Sequence, residues 1–189
     1  MTLETETVRA AVFRGVGVPL SIENIALDPP QATEVRVKMK VVGLCHTDQH
    51  TLLGEHKVGM TPIVLGHEGS GVVEAVGSEV HDIVVGDHVA LLWMPACGKC
   101  EPCRHGFHHR CELAPLINRG PQIDGSYRRR DASGANVGAA CMVGAFAEKT
   151  VVDRASVVVV DRDLSFDAVA LSACSVCGGF GAAVHATCV

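Results

Sequence analysis

Cys97-Gly98-Lys99-Cys100-Glu101-Pro102-Cys103-Arg104-His105-Gly106-Phe107-His108-His109-Arg110-Cys111 carries four thiols in a C-x2-C-x2-C-x7-C run. Cys97, Cys100, Cys103 and Cys111 can surround one tetrahedral ion with four thiolates. Turn formers and charges fill the intervals, and only Phe107 is strongly apolar. A lobe of that composition, about residues 95–112, needs a metal or disulfides to hold its shape.

The rest of the chain favours metal. Met1 to Arg9 is polar and acidic, so no secretory signal is expected. No stretch approaches the roughly 18 to 20 apolar residues of a membrane span, and no membrane partner is expected. Nine cysteines without an export signal point to a reducing compartment and a cytoplasmic location. A net charge of -5 without a basic stripe argues against nucleic acid. Arg128 to Arg130 is a short basic cluster that reads as a solvated loop.

At 189 residues the chain suits one domain or slightly more. Hydrophobic residues make up 48% and aromatics only 4%, so Val, Ala and Leu must build the core, which reads as mainly β. In Glu34 to Val41, Val35, Val37, Met39 and Val41 alternate with Glu34, Arg36, Lys38 and Lys40, the pattern of a half-buried antiparallel strand. Further strands are predicted at Val8 to Phe13, Ser21 to Ile25, Gly71 to Val76, His88 to Trp93, Phe146 to Val152 and Val157 to Val160. Short strands punctuated by Gly and Pro imply a barrel or sandwich. Only the end reads as helical, Asp167 to Ala173 and Gly179 to Cys188. Glu112 to Met142 is a long irregular excursion, of the kind that carries function or lies under another domain.

Soft ligands also lie outside the cysteine run. Cys45 follows the clearest strand, His67 sits in Gly66-His67-Glu68, and Cys174 lies at the junction of the two helical stretches. Two thiolates and one imidazole would leave a fourth position open on zinc, the arrangement of a catalytic site. Spacing alone does not select these three from nine cysteines and ten histidines.

Gly66-His67-Glu68, followed by Gly71, Gly77 and Val80, resembles the G-H-E-x2-G-x5-G-x2-V signature of the zinc-containing medium-chain alcohol dehydrogenases. The cysteine run matches their structural-zinc lobe, and Cys45-His46-Thr47-Asp48 matches the site of the first catalytic ligand. The resemblance runs from about Val8 to the end. It implies a GroES-like barrel over residues 1–173, with Cys174 to Val189 opening a bridging helix toward a nucleotide-binding Rossmann domain absent from this chain. The Glu112 to Met142 stretch is similar to the longer loop of the alcohol and glutathione-dependent formaldehyde dehydrogenases.

The resemblance also implies roles. Cys45, His67 and Cys174 would hold the catalytic zinc, which makes two zinc ions per chain with the lobe's own. Zinc as a Lewis acid lowers the proton affinity of an alcohol oxygen. Asp48 would accept from the far ring nitrogen of His67. Thr47 would take the alcohol proton and His50 hand it to solvent; a solvated surface histidine is the alternative for His50. Glu68 would be a neighbouring or alternating ligand, against the reading of an ordinary exposed carboxylate. His46 stands where the family sets a cation against the pyrophosphate of NAD, and other members use arginine there. Cys177 could compete with Cys174 as a ligand. Cys141 and Cys188 read as small buried residues, and Trp93 as core or substrate wall.

The implied activity is NAD-linked oxidation of an alcohol to an aldehyde or ketone, with a small alcohol or aldehyde as substrate and a homo-oligomer as the full-length state. Without a nucleotide-binding domain the chain by itself is expected to be inactive. Its alternatives are oxidation of a formaldehyde–thiol adduct, or a non-catalytic zinc-binding fragment or module. An unpartnered barrel edge and exposed apolar surface are expected where further segments would pack.

Overall fold

The computed structural model describes residues 4–186. Its strands are β1 (Glu6–Phe13), β2 (Ser21–Leu27), β3 (Glu34–Val42), β4 (Ile63–Val64), β5 (Gly69–Val76), β6 (His88–Leu91), β7 (Arg129–Arg130), β8 (Gly138–Ala139), β9 (Lys149–Asp153) and β10 (Val157–Val160). They form two five-stranded sheets, ordered β7-β2-β1-β4-β8 and β10-β6-β5-β3-β9. All pairings are antiparallel except β4 with β8. The α-helices are α1 (His46–Leu53), α2 (Glu101–Arg104), α3 (Phe166–Ser172) and α4 (Ser175–Gly181). The mainly β barrel expected from the Val-rich sequence is the fold observed.

The two sheets share a wall. Successive side chains of a strand point to opposite faces, and β9 uses both: Val152 packs with Val35, Val37 and Val73, while Val151 packs with Val8, Val12 and Ile25. Each fully buried valine contributes about 1.5–3 kcal/mol, so small residues suffice once both faces are covered. Residues 146–148 then tie sheet to sheet. Ala11 N donates to Phe146 O at 2.8 Å and Glu148 N to Arg9 O at 3.0 Å, while Met39 N reaches Glu148 O at 3.0 Å. This corrects the strand expected at Phe146 to Val152: the chain crosses from one sheet to the other first, and the strand is Lys149–Asp153.

Other expectations shift for the same reason. In β3 the first four residues are all buried, Glu34 and Arg36 included. Arg36 pairs with Glu6 at 3.0 Å, and Glu34 Oε2 accepts from Arg128 at 2.6 Å. The polar side of the alternation therefore faces partners at Glu34 and Arg36, while Lys38 and Lys40 face water. The strand expected to end at Trp93 ends at Leu91, and Trp93 is half-buried.

The Glu112 to Met142 excursion is fastened to the barrel, supplying β7 at one edge of its sheet and β8 at the other. Arg128 to Arg130 is no solvated loop. Arg128 is 4% and Arg129 1% exposed. Arg128 bridges Glu34 and Asp124. Arg129 donates to Val143 O at 3.0 Å and to the Thr150 hydroxyl, and burial pulls its pKa down to about 10. A triple of like charges is invisible to hydropathy as core, because carboxylates and carbonyls far away in sequence satisfy it.

Helix α3 is capped by Ser165, whose hydroxyl accepts from Ala168 N at 3.3 Å. Its Val169 and the following Ala173 pack on Ala90 of β6, and Ser70 Oγ donates to Phe166 O at 2.7 Å. That packing delivers Cys174 to the barrel mouth. The second helical expectation, Gly179 to Cys188, begins earlier, at Ser175, and Cys188 lies outside the described residues. Val158, Leu164 and Leu171 around edge strand β10 and α3 are exposed, the apolar surface expected. Among the described residues no single helix is long and apolar enough to cross a membrane; α3 and residues 175–186 meet that length and composition only as a pair bent by 53°.

Arg129 and Arg130 allow a direct test. Arg129→Ala leaves a cavity and removes the guanidinium donor from Val143 O and the Thr150 hydroxyl, which still bond each other, and should cost on the order of 3 kcal/mol. Arg130→Ala removes a partly exposed pair with Asp28 and should cost less than about 1 kcal/mol. Urea unfolding of the two variants measures both, and equal losses would contradict the buried role of Arg129. Asp124 tests the acid side. Burial raises its pKa, but Ser126 and Arg128 prevail and hold it at about 2. Its stabilisation is therefore complete above its unfolded value of about 3.9 and fades as pH falls toward about 2, so Asp124→Asn should flatten that acid limb.

Candidate metal centres

Two groups of donors converge among the described residues, Cys97, Cys100, Cys103 with Cys111, and Cys45, His67 with Cys174; within each group the ligand atoms lie within 4.8 Å of one another. The tight Cys100 and Cys103 turns build the first. Cys100 caps α2, and Gly98 and Gly106 take positive φ values of 72° and 81° at the bends. Cys100 Sγ and Cys111 Sγ are 4.0 Å apart. Tetrahedral zinc with Zn–S near 2.3 Å sets sulfurs about 3.8 Å apart, whereas a disulfide requires about 2.05 Å. Backbone amides of Cys97 and Cys100 point at Cys111 Sγ and Cys97 Sγ, 3.5 and 3.4 Å away. Sulfurs placed as acceptors suit thiolates. Backbone N–H groups, that of Glu112 foremost, bring the Cys100 pKa down to about 7, while burial takes Cys103 up to about 12. His105, His108 and His109 stay outside this donor set.

The second group draws on three separate segments. Cys45 ends the approach from β3 and caps α1, a helix the sequence reading missed because His46, Thr47, Asp48, Gln49 and His50 carry no apolar period. Its available signal was in the ends: Asp48 at the third helical position and Gly54 with φ 79° after the last. Asp48 is 6% exposed. Its Oδ2 accepts from Cys45 N at 3.2 Å and its Oδ1 from Gly66 N at 3.1 Å, with His67 Nδ1 at 3.5 Å. This leaves His67 Nε2 as the ring nitrogen turned away from Asp48.

Electrostatics fit a cation at the centre. Burial lowers the His67 pKa, but Asp48 and Cys45 outweigh it and raise it. Burial likewise opposes ionisation of Cys45, yet the Thr47 N–H and hydroxyl and His67 bring its pKa down. At Cys174, burial and then Cys45, Glu68 and Asp48 push the thiol up to about 12. Two thiols and two carboxylates crowd one imidazole, and a divalent ion balances that excess of acceptors. Both donor sets suit zinc.

Around this centre the other predicted residues take definite positions. Thr47 Oγ1 is 3.6 Å from Cys45 Sγ. His50 is half-exposed, pairs with Glu55 through Nδ1, and stacks on His46 with ring centroids 4.5 Å apart. Glu68 is 1% exposed, which corrects its alternative reading as an exposed carboxylate. Its oxygens accept from the backbone and hydroxyl of Ser175, a residue the sequence reading did not single out. Nothing local marks it, since the two positions are 107 apart. Cys177 lies outside the triad, exposed, with Sγ 2.9 Å from Ser172 O. Cys141 is half-buried and packs against the core as expected, in a turn with φ 54° and outside both donor groups. With Ile117 and Asn118 it faces Thr47, Asp48 and His67 across a narrow cleft, so the long excursion walls the centre.

A GroES-like barrel with a four-thiol lobe and a thiol–imidazole–thiol centre defines a class of zinc-binding catalytic domain. Residues 31–162 match the alcohol dehydrogenase GroES-like domain, and the chain belongs to that family, among the zinc-containing medium-chain alcohol dehydrogenases. It is 42% identical over 176 residues to S-(hydroxymethyl)glutathione dehydrogenase of Saccharomyces cerevisiae, covering 93% of this chain and 46% of that protein. It is 38% identical to alcohol dehydrogenase B of Mycobacterium tuberculosis, covering 88% and 44%. A crystal structure of an alcohol dehydrogenase zinc-binding domain protein from Burkholderia ambifaria superposes with a TM-score of 0.89 at 34% identity, over 98% of this chain and 50% of that one. The chain thus spans about half the length of the relatives it matches.

Cys100→Ser separates the two centres. It should lose the lobe's zinc and unfold the lobe, with the Cys45–His67–Cys174 metal retained. Metal analysis with proteolysis of residues 95–112 reads the outcome, and loss of both metals would contradict independent sites.

Proposed function

We infer that the chain is the zinc-bearing part of a dehydrogenase that oxidises a small alcohol to an aldehyde or ketone with NAD as hydride acceptor. The observation that carries this reading is the convergence of Cys45, His67 and Cys174 within 4.8 Å of one another, with His67 also lining a cleft that holds the Thr47 hydroxyl. When bound, zinc supplies Lewis acidity toward an alcohol oxygen. The chain's own residues do the remainder. Asp48 fixes the ring orientation of His67. Thr47, exposed at the start of α1 and lining the cleft, accepts the hydroxyl proton. His50 gives a route to solvent, and its pairing with Glu55 holds one ring nitrogen while the other is free to exchange. His46 stands beside it as a contact for a dinucleotide phosphate.

In this reading residues 1–173 are the catalytic domain and α4 opens the bridge to a nucleotide-binding domain that provides NAD. NAD is thus provided from outside the described residues, among which no Rossmann fold occurs. A cytoplasmic location and a homo-oligomeric complete enzyme complete the proposal. A formaldehyde–glutathione adduct is the second substrate reading, favoured by the 42% identity to the Saccharomyces cerevisiae enzyme and by a cleft wall built from the long 112–142 segment.

Metal analysis should find close to two zinc ions per chain, matching the two donor sets, and Cys45→Ser should retain only the lobe's. With cobalt in the Cys45–His67–Cys174 centre, a small alcohol should perturb the visible spectrum, and S-hydroxymethylglutathione should do so at lower concentration if the second reading holds. A folded, metal-free protein would sink both readings, and reduction of NAD by the 189 residues alone would overturn the division between domains.

A further inference from the structure

Glu68 is a buried carboxylate with an unusual set of partners. Among the described residues no lysine, arginine or histidine pairs with it, and every donor to its side chain belongs to Ser175. Ser175 N donates to Oε2 at 2.9 Å. Ser175 Oγ lies 2.7 Å from Oε2 and 3.0 Å from Oε1, so its single proton is shared between them. The cradle is closed on the other side. A Cβ added to Gly43 would sit 2.2 Å from Glu68 Oε1, and Gly43 N donates to Glu68 O at 2.9 Å.

The covalent neighbours of this pair matter more than its own energy. Glu68 follows His67, and Ser175 follows Cys174. The contact therefore closes a ring from one metal ligand, through Glu68 and Ser175, to another ligand 107 residues away. Cys174 itself has no regular support: its φ and ψ are -143° and -70°, and only Gly178 N bonds back to its carbonyl, at 3.0 Å. Ser175 to Phe180 of α4 are exposed, so packing among the described residues does not fix the position of Cys174 from that side. We propose that Ser175 is a positioning residue for the metal centre, clamping Glu68 so that Cys174 and His67 are held at one spacing for the ion.

The proposal rests on Cys45, His67 and Cys174 being a metal centre. Outer partners of metal ligands typically change affinity by roughly 10- to 100-fold. Zinc-loaded protein is titrated with a chromogenic chelator, with the four-thiol lobe as internal standard. Ser175→Ala should release the triad's zinc roughly 10- to 100-fold more readily and leave the lobe's unchanged, and Ser175→Thr, which restores the hydroxyl, should hold it as the natural protein does. Glu68→Gln should weaken retention, and adding Ser175→Ala to it should change nothing further, because the two act through one contact. Cobalt at the triad should show altered visible bands in Ser175→Ala. Retention unchanged in Ser175→Ala, or equal loosening of both metals, would overturn the clamp. A natural protein that binds only the lobe's equivalent would instead overturn the metal-centre reading beneath it.

Discussion

Asp48 is the constraint on which the metal-binding end of this domain depends. One buried carboxylate holds the residue capping α1 by the Cys45 amide, the loop after β4 by the Gly66 amide, and the His67 ring by Nδ1. Removing a buried, multiply bonded carboxylate leaves its donors unpaired, at about 1–3 kcal/mol for each. Because the same group fixes a helix start and a candidate metal donor, backbone order and donor geometry are not separable here.

The fold brings that hub within reach of Cys174 by a route made of small residues. Val151 and Val152 of β9 let two cores share one strand, and α3 then lies against β6 through Val169 and the following Ala173 and against β5 through Ser70. Strand β5 begins Gly69-Ser70-Gly71 and approaches β3 closely, since a Cβ on Gly71 would meet Lys38 O at 2.3 Å. A chain poor in aromatics builds its interior from close backbone approach. The same economy explains why arginines 128 and 129 enter the interior: they reach carboxylates and carbonyls that valines cannot satisfy.

How much of this was legible depended on the range of each signal. The alternation in Glu34 to Val41 and the Val-rich segments marked most strands, since period-2 patterning is local. The cysteine run marked its lobe for the same reason, four ligands lying within one short loop. Helix α1 escaped because its side chains are nearly all polar and its determinants are two terminal positions. The start of β3 as a half-buried strand, the loop-like reading of Arg128 to Arg130 and the strand start at Phe146 failed for one cause. Each was decided by partners far away in sequence.

The sequence by itself determined the soft-ligand inventory, the four-thiol lobe and the mainly β character, because these rest on residue type and short spacing. Its motifs also supplied the family register that singles out Cys45, His67 and Cys174. Tertiary structure alone brings those three within 4.8 Å, sets the long excursion as a wall of the cleft beside His67, and buries Glu68 against Ser175. Those facts depend on which strands become neighbours, and contact across 107 residues has no local signature in the chain.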